Sequence, residues 1–154
     1  MSDLAAVLRL NAELSLLNAN YWHEIDINGG SQAHTFYVED AEFHGPHNSY
    51  YGRAKIQAFY DWRQSQPKPR LSVHSFTNFR AYFTGEDTAE STSFSMLYAD
   101  NGVKPMPSAP PVTTSLCTDK YRRVNGKWLL TYKRFEHLFE SDKPVTNPDL
   151  SDKK

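Results

Sequence analysis

The 154-residue chain has little of what marks secreted or membrane proteins. Its single cysteine, Cys117, cannot form an internal disulfide, and its first residues, MSDLAAVLRLN, lack the basic segment and apolar run of a signal peptide. No stretch approaches the roughly 20 consecutive apolar residues that span a bilayer. These absences argue against a disulfide-stabilised secreted domain and against membrane insertion, and we expect a reduced, cytoplasmic protein.

Neither sign of charge is in excess, because 17 lysines and arginines oppose 18 aspartates and glutamates, which gives a formal net charge of −1. A nearly neutral chain has no large positive field to hold nucleic acid or anionic lipid. Neither of the glycine-rich phosphate-binding patterns occurs. We therefore expect no nucleic-acid partner, no membrane partner and no cofactor.

Motifs for covalent or metal-dependent catalysis are also scarce. The pattern G-x-S-x-G is missing, and Cys117 has no recognisable histidine partner, so we interpret it as buried and inert. His44-Gly45-Pro46-His47, with Glu42 and His34 nearby, offers possible metal ligands. Structural zinc sites have tighter ligand sets with cysteines, however, and Gly-Pro predicts a turn. We expect no metal site.

Aromatic residues, by contrast, are abundant: nine Tyr, nine Phe and three Trp make up 14% of the chain. With 39% apolar and 23% charged residues, the composition is that of a soluble globular domain. The length suits one domain, which we place at residues 1–140, followed by a polar tail at 141–154. The aromatic share suggests a surface that binds something flat and apolar.

The first part of the chain has the periodicity of helices. Apolar residues recur at helical spacing up to Asn28-Gly29-Gly30, which ends the pattern. The members of this stripe are Leu10, Leu14, Leu17, Tyr21 and Ile25. The sequence further predicts a short helix at 31–37, an extended stretch at 41–44 and a helix at 52–66 that ends before Pro67.

After residue 70 the apolar period changes from about 3.6 to 2, which indicates strands. The predicted strands are 71–83, 88–98, 112–124 and 128–135, with a proline-rich loop at 100–111 and a hairpin turn at Asn125-Gly126. Helices followed by long antiparallel strands predict an α+β fold. We expect a cone-shaped, strongly curved antiparallel sheet that wraps around the N-terminal helices and encloses a pocket.

Three residues attract attention by position. His74 lies mid-strand, on a face that strict alternation shares with Phe76 and Asn78, although a hydrogen-bonded structural histidine is the plainer interpretation. Asp26 opposes the dipole at the end of the first helix, where the alternative is a solvated carboxylate. Tyr21 continues the apolar stripe and by spacing alone is a core residue.

Three segments, in their order along the chain, resemble the SnoaL-like branch of the nuclear-transport-factor-2-like superfamily. They are residues 21–26 (YWHEID), Asp40-Ala41-Glu42-Phe43 followed by a helix opening at Gly52, and residues 121–128 (YRRVNGKW). The likeness spans residues 5–138 as a pattern. Members of this family include scytalone dehydratase, bile-acid 7α-dehydratase and γ-hexachlorocyclohexane dehydrochlorinase.

The resemblance implies a set of catalytic residues. The family's helix aspartate and strand histidine match Asp26 and His74, which are 48 positions apart. Tyr21 stands five residues before that aspartate, as in the bile-acid enzyme, and Lys133 stands five residues after the hairpin Trp128, where the family usually has arginine. Strict alternation groups Lys133 with Leu129, Thr131 and Phe135, and we take this face as inward, the alternative being a solvated lysine.

These residue types suit elimination chemistry. A neutral His74 accepts a proton while Asp26 fixes its tautomer, Tyr21 hydrogen-bonds a leaving hydroxyl or oxyanion, and Lys133 stabilises negative charge. The 140° between positions five apart on a helix keeps Tyr21 and Asp26 from both pointing into a narrow cavity. For the substrate-binding wall we expect Phe43, Tyr50, Tyr51, Tyr60, Phe76, Asn78 and Phe94.

The resemblance therefore implies a cofactor-independent lyase that removes water, halide or formaldehyde from a hydrophobic, aromatic small molecule. An isomerase or cyclase would use the same base. A non-catalytic ligand-binding domain of the same fold is the alternative of a different class. Under each interpretation the resemblance implies a homodimer or homotrimer that forms through the exposed face of the sheet.

Overall fold

A computed structural model describes residues 3–142 as two helices packed against a curved six-stranded sheet. The helices are α1 (Leu4–Asn28) and α2 (Arg53–Gln64), with a short 3₁₀ helix (Ala33–Phe36) between them. The strands are β1 (Tyr37–His44), β2 (Ser49–Tyr51), β3 (Arg70–Phe83), β4 (Thr88–Asn101), β5 (Thr113–Val124) and β6 (Lys127–Glu140). The predicted tail lies outside the described residues from position 143 onwards.

The sheet has the order β2-β1-β6-β5-β4-β3, so β2 and β3 are its edges and it does not close into a barrel. The predicted α+β class is confirmed. The expectation of a wholly antiparallel sheet is wrong in one place, because β1 runs parallel to β6. The helix expected at 31–37 is reduced to one 3₁₀ turn, since Gln32 provides no side-chain cap and Tyr37 already begins β1.

Helix α1 is bounded by its own sequence. The Asp3 carboxylate accepts a hydrogen bond from the Ala5 amide at 3.1 Å, which caps the first turn. Gly29 ends the helix with a left-handed φ of 69°, a conformation that glycine adopts without steric cost. The buried stripe includes Leu10, Leu14, Tyr21 and Ile25, which form the core together with residues of β1 and α2.

Two polar side chains of α1 hold the helix against the edge strand β3. Asn11 Nδ2 donates to the Ala81 carbonyl at 2.9 Å, and the Ala81 amide donates to Asn11 Oδ1 at 2.7 Å. Near the other end of the helix, Asp26 accepts a hydrogen bond from the His74 amide at 2.7 Å. The backbone of an edge strand lacks a neighbouring strand, so these contacts satisfy groups that the sheet leaves open.

A bulge in β3 changes which side chains face the helix. Asn78 has a φ of 54°, and β3 carries one extra residue there relative to β4. His74 and Phe76 before the bulge therefore lie on the same side of the strand as Ala81 and Phe83 after it, although strict alternation would place even-numbered and odd-numbered residues on opposite sides. The strict alternation that grouped Asn78 with His74 is wrong, and Asn78 is exposed.

A second bulge lies in β6. Leu130 and the residue two places after it pair with consecutive residues of β5, so Thr131 is the extra residue. Trp128 and Leu130 are buried before the bulge, and Lys133 is buried after it. The expected inward direction of Lys133 is confirmed, but the expectation that Leu129 and Thr131 share its inward face is wrong because the bulge reverses the alternation.

Candidate active site

Asp26 and His74 form a closely coupled pair between the end of α1 and the middle of β3. Asp26 Oδ1 lies 2.7 Å from His74 Nδ1, and Ser72 Oγ donates to the same oxygen at 2.7 Å. The side chains are only 12% and 11% exposed, respectively. Because a carboxylate only accepts hydrogen bonds, Nδ1 carries the ring hydrogen and Nε2 is left with a free lone pair.

The protonation states follow from the surroundings of the two groups. Burial lowers the pKa of His74 below its ordinary value of 6.5, against the opposing hydrogen bond that the ring donates to Asp26, and the charges of Arg63 and Arg70 lower it further. Burial alone would raise the pKa of Asp26, but the hydrogen bonds from His74 and Ser72 outweigh it and the pKa lies below its usual value. At neutral pH the pair is therefore a carboxylate and a neutral imidazole.

His74 opens onto a cavity of about 540 Å³. The imidazole ring lies flat on the indole of Trp22, with 3.8 Å between the ring centroids and 8° between the planes. Among residues 3–142, no side chain or backbone group bonds to His74 Nε2. Trp22, Phe43, Phe59 and Phe135 supply aromatic wall, while Leu97 and Val112 line the cavity farther along. A largely apolar chamber with a histidine at its wall is suited to a hydrophobic small molecule.

Tyr21 and Lys133 lie beneath this cavity and do not line it. Tyr21 is fully buried, and its hydroxyl bonds to Tyr37 at 2.8 Å and to Tyr60 at 2.6 Å. Burial raises the pKa of Tyr21 well above its ordinary value, so the hydroxyl stays protonated. Tyr21, which was expected to contact a leaving group directly, does not reach the cavity, because Trp22, its neighbour on α1, takes the position against His74.

Lys133 is 1% exposed and pairs with Asp119 at 2.8 Å. Its ammonium also lies 5.0 Å from the centre of the Tyr21 ring and 5.2 Å from that of Trp22. An ammonium packed between a carboxylate and aromatic faces is well compensated where it is. Lys133 thus supports the two aromatic residues of α1 that lie behind the cavity.

The expected aromatic wall is only partly assembled. Phe43 and Tyr60 line the cavity, and Tyr50 stacks on Phe59 at 5.0 Å, behind the cavity wall. The remaining expected residues, Tyr51, Phe76, Asn78 and Phe94, do not line the cavity among the residues described. Tyr51 and Phe94 point outward from their strands and Asn78 is displaced by its bulge, so these three assignments are corrected.

The side of strand β4 that carries Phe94, which was expected to line the substrate-binding wall, faces outward. Its serines face inward: Ser91, Ser93 and Ser95 are buried, while Phe94 is 39% exposed. Small side chains on this inner face leave room for a cavity that aromatic side chains would fill. Ser95 is part of the cavity lining.

The structure adds site residues that the sequence did not single out. Ser72 lies two residues before His74 on the same face of β3, and this spacing was a usable signal. Trp22 lies one helical turn before Asp26, which places both on one face of α1. Arg63 follows Phe59 by four residues on α2 and lines the cavity with it.

The histidines considered as metal ligands have other partners. His44 Nε2 bonds to Glu42 and Nδ1 to Ser49, both at 2.8 Å, while His34 Nδ1 lies 2.9 Å from Gln57 Oε1. Within the described range 3–142, no group of three or more His, Cys, Asp or Glu is arranged to hold a metal ion. That range also contains no helix long and apolar enough to cross a membrane.

These features of fold and site agree with the family to which the chain belongs. The family model described as "SnoaL-like domain" matches residues 6–134, which is most of the chain, and the protein is a member of that family. The fold is typical of small-molecule-binding domains with a hydrophobic pocket. No curated protein sequence matches the chain.

Solved structures show the same fold at low identity. A candidate scytalone dehydratase from Novosphingobium aromaticivorans DSM 12444 is 17% identical, with a TM-score of 0.76 over 92% of this chain and 93% of that one. ActVI-ORFA from Streptomyces coelicolor is 18% identical, with a TM-score of 0.72 over 84% and 97%. LinA is 18% identical, with a TM-score of 0.71 over 99% and 100%. At these identities the likeness establishes the fold.

Proposed function

We propose that this protein is a cofactor-independent lyase in which His74, oriented by Asp26, removes a proton from a hydrophobic, aromatic substrate. The observation that carries the proposal is the 2.7 Å contact between Asp26 Oδ1 and His74 Nδ1 at the wall of an apolar cavity. A carrier domain has no need of a carboxylate on the far nitrogen of a cavity histidine. A general base does, because the carboxylate stabilises the imidazolium that forms.

The reaction follows from this arrangement. His74 Nε2 takes a proton from the substrate, and the electron pair of the broken bond forms a new double bond as hydroxide or halide leaves from the adjacent carbon. The imidazolium then returns its proton to a leaving hydroxide or to solvent. For formaldehyde release the base takes the hydroxyl proton of a hydroxymethyl group, and the oxygen electron pair forms the C=O bond of formaldehyde as the carbon–carbon bond breaks. The electron pair of that bond forms a double bond to the adjacent carbon, from which hydroxide leaves and takes the proton back from the imidazolium as water.

Tyr21 and Lys133 enter this proposal as positioning residues. Tyr60 lines the cavity, and its hydroxyl is held by the Tyr21 hydroxyl, so Tyr21 acts on a substrate through Tyr60. Lys133 packs against the ring of Trp22, on which His74 is stacked. Phe43 and Phe59 supply the aromatic surface against which a substrate ring packs.

The direct test is turnover of a panel of aromatic alcohols and halides, with detection of released halide or formaldehyde and of unsaturated products. His74→Ala is expected to lose turnover by about 10²–10⁴-fold, the usual contribution of a positioned base. His23→Ala, an exposed histidine of α1, is the matched control and should retain it. Full turnover in His74→Ala would remove the mechanism, and an isomerised or cyclised product without a leaving group would assign the same base to an isomerase or cyclase.

The proposal includes assembly with further copies of the chain through the outer face of the sheet. This face carries apolar side chains on neighbouring strands, among them Val73, Phe94 and Tyr98. Apolar patches of this kind mark interaction surfaces. Sedimentation should give a dimer or trimer that Phe94→Lys dissociates, with Tyr51→Lys at the far edge as a control; a stable wild-type monomer would refute assembly.

A further inference from the structure

A buried arginine stands in the wall of the same cavity, close to the dyad. Arg63 lies in the last turn of α2, is 8% exposed and lines the cavity together with His74. Its guanidinium carbon lies 5.9 Å from the centre of the Phe59 ring and 5.5 Å from that of Tyr60. The sequence held no hint of this role, because an arginine near the end of a helix is usually solvated.

The charge of Arg63 is poorly compensated by the protein. Within the part of the chain that is described, its one hydrogen bond runs from Nη2 to Ser72 Oγ at the long distance of 3.5 Å, and Nε is buried without a partner. Across residues 3–142, no carboxylate lies within ion-pair distance of it. Burying a guanidinium with so few acceptors is costly, and burial lowers its pKa.

Other polar and charged groups of this region already have partners. His137 bonds to Glu140 at the cavity rim, and Lys133 pairs with Asp119 beneath the cavity. Asp26 is separated from Arg63 by the hydroxyl of Ser72, which donates to Asp26 Oδ1. Asp26, the carboxylate whose charge acts on Arg63, is already held by His74, so this cavity cation has capacity for an anion from outside.

We propose that Arg63 binds a carboxylate carried by the substrate, so that the molecule taken up is an aromatic acid. This inference rests on the proposed function, since the cavity occupant is the substrate of the dyad. The planar guanidinium offers several donors in a fixed fork, which a carboxylate accepts through two oxygens. The neighbouring rings of Phe59 and Tyr60 would hold the apolar part of the same molecule.

Calorimetric titration at pH 7 with 2-naphthoate and its neutral analogue 2-naphthamide tests this assignment. Wild-type protein should bind naphthoate at least about tenfold more tightly, since hydrogen bonds to a charged group contribute that much or more. Arg63→Gln should lose about tenfold in naphthoate affinity and leave naphthamide affinity within about twofold. Arg53→Gln, which removes the same charge elsewhere on α2, should change neither.

Two more variants keep the assignment falsifiable. Arg63→Lys retains a charge without the fork, and it should show an intermediate naphthoate affinity even if Arg63→Gln does not fold. Arg70→Gln tests the other cavity arginine. Equal affinity of wild type for both probes, no saturable naphthoate binding, equal loss of both probes in Arg63→Gln, or transfer of the effect to Arg70→Gln would each overturn the proposal.

Failure of this inference is distinguishable from failure of the proposed function. Naphthoate binding does not require a base, so His74→Ala should keep the naphthoate preference while losing turnover. If His74→Ala keeps both, the lyase mechanism fails and the anion site stands. If His74→Ala loses turnover but neither it nor the wild type prefers naphthoate to naphthamide, the anion site alone fails.

Discussion

Asp26 contacts His74 at two different atoms, with Oδ1 2.7 Å from the ring nitrogen Nδ1 and Oδ2 accepting from the backbone amide at 2.7 Å. The carboxylate is therefore fixed by the strand itself as well as by the ring that it orients. Ser72 adds a third donor to Oδ1. A carboxylate with this many donors stays ionised, and an ionised Asp26 holds His74 in the tautomer that leaves Nε2 free.

Asp26→Asn should lower kcat by about 10²–10⁴-fold. The asparagine amide has only one acceptor oxygen for the three groups that donate to Asp26. Its NH₂ group therefore faces at least one of these donors without accepting from it, and the imidazole loses its fixed tautomer. Steady-state kinetics on any substrate found in the panel measures this. Glu86→Gln, a charge removal in the exposed turn after β3, is the control, and an Asp26→Asn protein as active as Glu86→Gln would contradict the role of the dyad.

The pH profile of kcat/KM should be flat at neutral pH and fall on the acid side with an apparent pKa below 6.5. The base must be neutral, and burial lowers the pKa of His74 in the folded protein. In Asp26→Asn the acid limb should move to still lower pH, because the hydrogen bond that raises the pKa of His74 is lost. An acid limb above pH 6.5 in wild-type protein would argue against His74 as the base.

The same lowered pKa has a consequence for stability. On acidification the unfolded chain takes up the His74 proton before the folded chain does, so the free energy of unfolding falls as pH drops below 6.5. This contribution is fully present above that pH. Urea unfolding at several pH values should show a smaller acid loss in His74→Gln than in wild type, and identical pH dependence of the two would show that His74 is not buried neutral.

Lys133→Met should lower the free energy of unfolding by about 3–5 kcal/mol, since it leaves Asp119 buried without its cation. Asp119 Oδ1 already lacks a partner among the described residues, which leaves little to compensate the loss. Arg134→Met, an exposed neighbour on β6, is the matched control in chemical denaturation. Adding Asp119→Asn to Lys133→Met should recover part of the lost stability. Equal stability of Lys133→Met and Arg134→Met would show that the Lys133–Asp119 pair does not stabilise the fold.

Asn11→Ala should destabilise the protein by about 1–3 kcal/mol, because the amide and carbonyl of Ala81 both lose their partner. Asn20→Ala, on the exposed side of the same helix, should be neutral or slightly stabilising because alanine favours helices. Thermal unfolding measures both. If the two variants behave alike, the contact between α1 and β3 does not depend on Asn11.

The periodicity of the sequence was sufficient for α1, α2, the four long strands and the order in which they follow one another. It failed at the bulges, because one extra residue reverses the alternation without changing composition. In β3 the reversal is visible in the sequence, because the inward apolar residues change from the even-numbered Phe76 to the odd-numbered Phe79, Ala81 and Phe83. Asn78 at the break is a residue type that tolerates a left-handed φ.

The contact between Asp26 and His74 could be predicted from the sequence, while their catalytic roles stay a prediction. His74 and Asp26 were found because a resemblance joined two positions far apart in the chain. The spacing places Ser72 beside His74 and Trp22 beside Asp26, but their contacts with the pair, like the position of Arg63, depend on how α1, α2 and β3 pack, which periodicity does not encode. The parallel pairing of β1 with β6 was missed for the same reason, since it joins strands far apart in sequence.

Because α1 is attached to the edge of the sheet, Asp26 helps to cover the edge strand β3 against the addition of a strand from another chain. Strand β3 ends the sheet, and the amide of His74 is satisfied by the Asp26 carboxylate instead of by another strand. An uncovered edge of this kind is a template for strand addition and aggregation. The carboxylate that contacts the His74 ring therefore also occupies a backbone donor of the edge strand, and its loss would open this part of the edge while Asn11 still covers the part at Ala81.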